Sequence, residues 1–199
     1  MKTLVYVTAL AVASLFLGAC KHPKKSNAAK DSAHKASHVK HTAAKPGVDG
    51  KVPTPLSGLL VNYLKIKDGL AADNSNEAAA AGTILAEGFA KFDRSPLSAS
   101  QKRYFDDIAG DAEEMAEHIG KSAGKLPHQR EHFDMLSKDM IDLVKAFGTT
   151  RNLYIDRCPM YNDQKGALWL SETKAIKNPY LGSAMPTCGA VKEELKYIP

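Results

Sequence analysis

Between Pro55 and Gly148, apolar residues recur at three- and four-residue steps in four successive runs, separated only by short links. That period marks amphipathic helices. Four such helices on short links can bury their apolar stripes only by folding back on one another. The first run carries Leu59, Leu60, Tyr63, Leu64 and Leu70, with Pro55 near its start. The second opens on an alanine-rich stretch of high helix propensity and carries Ile84, Leu85, Phe89 and Phe92. The third carries Tyr104, Phe105, Ile108, Ala112, Met115 and Ile119, with Ser98 or Ser100 placed to cap it. The fourth carries Phe133, Leu136, Met140, Leu143 and Phe147, with Pro127 suited to a first turn and Gly148 to a stop. No period-2 run of useful length appears, so a sheet is not expected. The expected fold is all-α, an up-and-down antiparallel four-helix bundle over residues 55–148. Residues 149–199 hold most of the turn signals and read as an irregular segment of the same domain, wrapped on the bundle. Trp169 and Tyr180 are its expected apolar anchors. "AVKEELKYI", residues 190–198, reads as a short closing helix.

The N-terminus has a different character. Residues 1–19 place Lys2 before an apolar run from Leu4 to Leu17, the pattern of a secretory signal peptide. Leu17-Gly18-Ala19-Cys20 resembles a bacterial lipobox, in which the cysteine becomes the lipidated first residue. Lipid on Cys20 would attach the protein to a membrane. Residues 20–54 are rich in Lys, Ala, Ser and Pro, with no Phe, Trp or Tyr, so they read as a disordered tether. The tether also owns the positive charge. Residues 1–53 carry a net +7, and the remaining residues a net −2. A near-neutral folded part excludes a nucleic-acid-binding face; a basic tether beside a lipid suits anionic headgroups. Lys21 is not the acidic signal of inner-membrane retention, so the expected location is a Gram-negative envelope, on the outer membrane. His22, His34, His38 and His41 lie in the tether and read as solvated, or as a loose metal-binding tract.

Two further cysteines remain, Cys158 and Cys188. They sit in two sulfur-bearing segments, Cys158-Pro159-Met160 and Met185-Pro186-Thr187-Cys188. Thiolate and thioether sulfur select soft ions such as Cu(I), and by the same softness Ag(I). Cys158, Met160, Met185 and Cys188 are therefore a candidate metal set. The spacing is not that of a zinc, haem or thioredoxin-like motif. The alternative is a disulfide closing a 30-residue loop, worth roughly 3 kcal/mol on a chain-entropy model. A second candidate comes from hairpin geometry. Residues equidistant from the turn between the third and fourth helices lie side by side, which pairs His118 with His132 and Met115 with Met135. His128, at the helix start, reads as a surface residue. No phosphate loop, nucleophile elbow or oriented Cys–His pair is present, so the chain is not expected to be an enzyme.

The segment from Leu153 to Gly189 is similar to the family of domains of unknown function numbered 3347. The residues that carry the likeness are Leu153, Tyr154, Cys158, Pro159, Met160, Lys165, Gly166, Ala167, Trp169, Leu170, Ser171, Ile176, Asn178, Pro179, Tyr180, Gly182, Met185, Cys188 and Gly189. The helix-four stretch from Gln129 to Gly148 is also similar, and the resemblance covers about residues 55–193. Leu181 and Pro186 depart from the family pattern. The resemblance implies a small envelope lipoprotein and a link to the adaptor subunits of copper and silver efflux pumps, to which related domains are fused. The expected function is binding of Cu(I) or Ag(I) as a store, sensor or shuttle to an efflux system. The alternative is a non-catalytic interaction module with a structural Cys158–Cys188 disulfide and no metal.

Overall fold

The computed structural model describes residues 56–197. The expected signal peptide, the lipidated Cys20 and the tether with its four histidines lie outside the described residues.

Four helices form, α1 Ser57–Ala71, α2 Ser75–Ala90, α3 Ala99–Gly120 and α4 Leu126–Phe147. Their ends follow local chemistry. The Asn74 side chain accepts from the Glu77 N–H and starts α2. Ser98 and Gln101 form a reciprocal capping box at the start of α3. Pro127 sits in the first turn of α4, and Gly148, at φ 82°, ends it. Each helix returns along its predecessor. Leu59 meets Gly88 and Gly69 meets Ala78 between α1 and α2. Gly82 lies against Ala116 and Gly120, where an added Cβ would stand 2.9 Å from backbone atoms, so α2 and α3 approach closely. Tyr104 packs on Phe147 at the far end of the α3–α4 hairpin. The core combines Leu59, Tyr63, Leu70, Leu85, Phe89, Phe105, Ile108, Phe133, Leu136 and Leu143, all buried. Removing that much apolar surface from water is the main favourable term in this fold.

The chain after α4 is not irregular, and the all-α expectation is corrected here. It forms β1 Leu153–Cys158, β2 Ala167–Ser171 and β3 Ala190–Leu195, an antiparallel sheet in the order β2-β1-β3. Residues 190–195 are a strand rather than the expected closing helix. Their Lys, Glu and Leu favour a helix, but the free edge of β1 offers a ladder of hydrogen bonds, and tertiary pairing overrides propensity. β1 and β2 escaped a period-2 search because they are short and almost continuously buried. Trp169 and Tyr180 are the expected anchors, both buried. Tyr180 donates to the Leu168 carbonyl at 2.5 Å, and the Leu170 N–H donates to the Tyr63 hydroxyl at 3.0 Å. Tyr63 and Ser137 share a hydrogen bond of 2.8 Å, so α1, α4 and β2 meet on one buried polar line.

Candidate metal centre

The turn between α3 and α4 places three histidines together. His118 lies in the last turn of α3, and His128 and His132 lie one turn apart at the start of α4. Gln129 fixes this corner. It is fully buried, and its Nε2 donates to the Ser75 carbonyl at 3.0 Å and the Ile119 carbonyl at 3.1 Å. Its Oε1 accepts from the Ser75 hydroxyl at 2.7 Å, which ties the starts of α2 and α4 to the end of α3.

One ring nitrogen from each of His118, His128 and His132 lies within 4.8 Å of the others. The Nε2 atoms of His128 and His132 stand 3.1 Å apart. Two imidazole nitrogens sharing one ion at about 2.0 Å each lie roughly 3.3 Å apart in a tetrahedral arrangement, so the spacing suits a metal. The rings of His118 and His132 stack at 4.4 Å and 5°, and His128 meets His132 edge-on at 86°. Lone pairs lie in the ring plane, so a rotation of His118 about its side chain would complete a three-nitrogen set. The outer nitrogens have partners. His132 Nδ1 lies 3.3 Å from Met115 Sδ, His128 Nδ1 lies 3.6 Å from Glu131, and His118 Nε2 lies 3.6 Å from Glu114. Such outer partners fix which nitrogen faces a metal. His132 is buried, His118 half-buried and His128 exposed, which leaves an ion a path from solvent.

Hairpin geometry alone paired His118 with His132, and the structure brings them together with Met115. Met135 is buried within the helix packing. His128 was read as a surface residue, and its exposure agrees, but it also joins the cluster. The signal that identifies it is its four-residue spacing from His132 on one helix face.

The sulfur segments meet at the sheet. Cys158 ends β1 and is fully buried; Cys188 is partly exposed. Both are free thiols, with their Sγ atoms 3.5 Å apart. The Cys188 N–H donates to the Met185 carbonyl at 3.2 Å, which closes the turn before it. Burial and the neighbouring Cys158 thiol push the Cys188 thiol above its ordinary range, while the Met160 N–H on its sulfur pulls the other way. Met160 and Met185, by contrast, are 50% and 43% exposed. The cysteines are thus brought together, and the methionines stand at the surface.

Beside the cysteines lies an unexplained charge. Asp156 is fully buried, and neither of its carboxylate oxygens has a hydrogen-bond partner. Burial raises its carboxyl to about 6, partly opposed by Lys67. Trp169 is its partner across the β1–β2 ladder, and the indole N–H is also unpartnered.

No curated protein and no protein of solved structure matches the chain. A family model described as Protein of unknown function (DUF3347) matches residues 59–152. That span takes in the helices and the histidine cluster, and stops just before β1, so Cys158 and Cys188 lie outside it. Through residues 59–152 this chain belongs to the DUF3347 family.

Proposed function

We propose that this protein is a non-catalytic binder of a transition-metal ion, copper above all, held by His118, His128 and His132. The observation that carries the reading is the convergence of three imidazole nitrogens within 4.8 Å at one corner of the bundle. Imidazole suits Zn, Cu, Fe and Ni, whereas Ag(I) calls for sulfur ligands. Copper is the ion for which the imidazole set and the resemblance to domains on copper and silver efflux adaptors agree. His132 Nδ1, donating toward Met115 Sδ, leaves Nε2 as the metal-facing atom. Lipid on Cys20 and the basic tether would hold the domain at an envelope membrane, within reach of an efflux adaptor. In that setting the protein acts as a store, sensor or shuttle.

The test is anaerobic titration of the mature protein with Cu(I) against a competing chelator, repeated with Zn(II). Saturation at one copper per chain is expected, with affinity lowered at least about tenfold in His128→Ala and in His132→Ala, the usual scale for a lost ligand or its outer partner. Affinity unchanged in both variants would remove the histidine site. Tighter binding of Zn(II) than of Cu(I) would remove copper as the cargo.

A further inference from the structure

The metal reading leaves Cys158, Cys188 and Asp156 without a task. Three observations connect them. The two sulfurs are 3.5 Å apart, about 1.5 Å from the length of a disulfide bond. They differ in access, with Cys158 fully buried and Cys188 partly exposed. Asp156 precedes Cys158 by two residues on β1, and both sit in unbroken register with β2, opposite Trp169 and Ala167. Alternate residues of a strand share a face, so the carboxylate and the buried thiol lie on the same side of the sheet. A buried carboxylate with no hydrogen-bond partner is costly and calls for a reason. Gly189 holds the arrangement closed. Its φ is +147°, and an added Cβ would stand 3.0 Å from both the Arg157 carbonyl and the Trp169 ring.

We propose that Cys158 and Cys188 form a working dithiol that reduces an external disulfide, with Cys188 attacking, Cys158 resolving and Asp156 accepting the Cys158 proton. In the first step the Cys188 thiolate attacks one sulfur of the external disulfide. A mixed disulfide forms on Cys188, and the partner's other sulfur leaves as a thiolate. In the second step Cys158 gives its proton to the Asp156 carboxylate, directly or through one water. The Cys158 thiolate then attacks the Cys188 sulfur, forming the Cys158–Cys188 disulfide and releasing the partner's remaining sulfur as a thiolate. Two protein thiols are oxidised, and one external disulfide becomes two thiols. A thiol that resists ionisation is a poor leaving group, so the closed disulfide is the more stable end state and electrons flow outward.

The full chain, reduced and then mixed with oxidised glutathione, tests this by mass spectrometry of the peptides, which separates Cys20 from the pair. Cys158→Ser should accumulate glutathione on Cys188. Cys188→Ser should react at Cys158 at least about tenfold more slowly, since access governs attack. Asp156→Asn should leave the first step unchanged and slow ring closure at least about tenfold, the low end of general-base catalysis. Equal reactivity of the two single-cysteine variants would overturn the assignment of roles. Unchanged closure in a folded Asp156→Asn protein would remove Asp156. A Cys158–Cys188 disulfide that glutathione cannot reopen in the folded protein would make the pair a permanent staple and overturn the proposal. The copper titration is independent, since it reads His128 and His132 only.

Discussion

Asp156 decides how the stability of this domain responds to pH. Burial raises its folded carboxyl to about 6, against 3.8 ordinarily. A group whose folded value is raised binds its proton more tightly in the folded state. Folding is then favoured below both values and loses that advantage as pH rises from about 4 to about 6. Two units correspond to about 3 kcal/mol. Urea unfolding of the wild type should therefore show a drop across that window that Asp156→Asn lacks, and the variant should be the more stable of the two at pH 7.5. A wild type and variant with parallel profiles would contradict it. Asp73 behaves oppositely. Hydrogen bonds from Ser183 and then Arg130 hold its carboxyl down at about 2, so its contribution is lost only as pH falls below about 4. His128 teaches a related point at this scale. Its type and spacing were visible in the chain, but only the fold of the turn turned a surface residue into a third ligand.

Arg130 joins elements that the sequence leaves unconnected. From α4 it donates to the Leu70 carbonyl at 3.0 Å, to the Pro179 carbonyl at 2.9 Å, and to the Asp73 carboxylate. The Ser183 N–H also donates to Asp73, at 2.9 Å. Gly182 passes so close to Asp73 and Arg130, at φ +51°, that any side chain there would collide. One guanidinium thus pins the segment after β2 to the α1–α2 turn. Arg130→Ala should cost about 2 kcal/mol, the scale of losing charge-assisted hydrogen bonds in a mostly buried setting. It should also expose residues 172–189 to limited proteolysis, while the helices stay protected. Cleavage rates equal to the wild type's would contradict this latch. The helices were legible because their stripes repeat over three or more turns. The strands were not, because β1 and β2 are five to six residues long and largely buried on both faces. β3 is written in helix-forming residues and is a strand only because β1 lies beside it.

The whole molecule divides its chemistry between two places. The helical part, which the family match covers, gathers imidazoles at the α3–α4 turn. The sheet, outside the match, gathers the two cysteines. The sequence presented all four sulfurs as one candidate set, because Cys and Met alternate symmetrically at the two ends of a loop. It could not show that the backbone turns Met160 and Met185 toward solvent while Cys158 is buried. None of the described helices is long and apolar enough to cross a membrane, so attachment rests on Cys20. The separation of imidazoles from thiols makes the central claim open to one direct measurement, X-ray absorption at the copper edge on the Cu(I)-loaded protein. Copper at the histidine corner should show two to three nitrogen neighbours at about 2.0 Å and no sulfur in the first shell. Two sulfur neighbours at about 2.3 Å would place the metal on Cys158 and Cys188 and contradict the account.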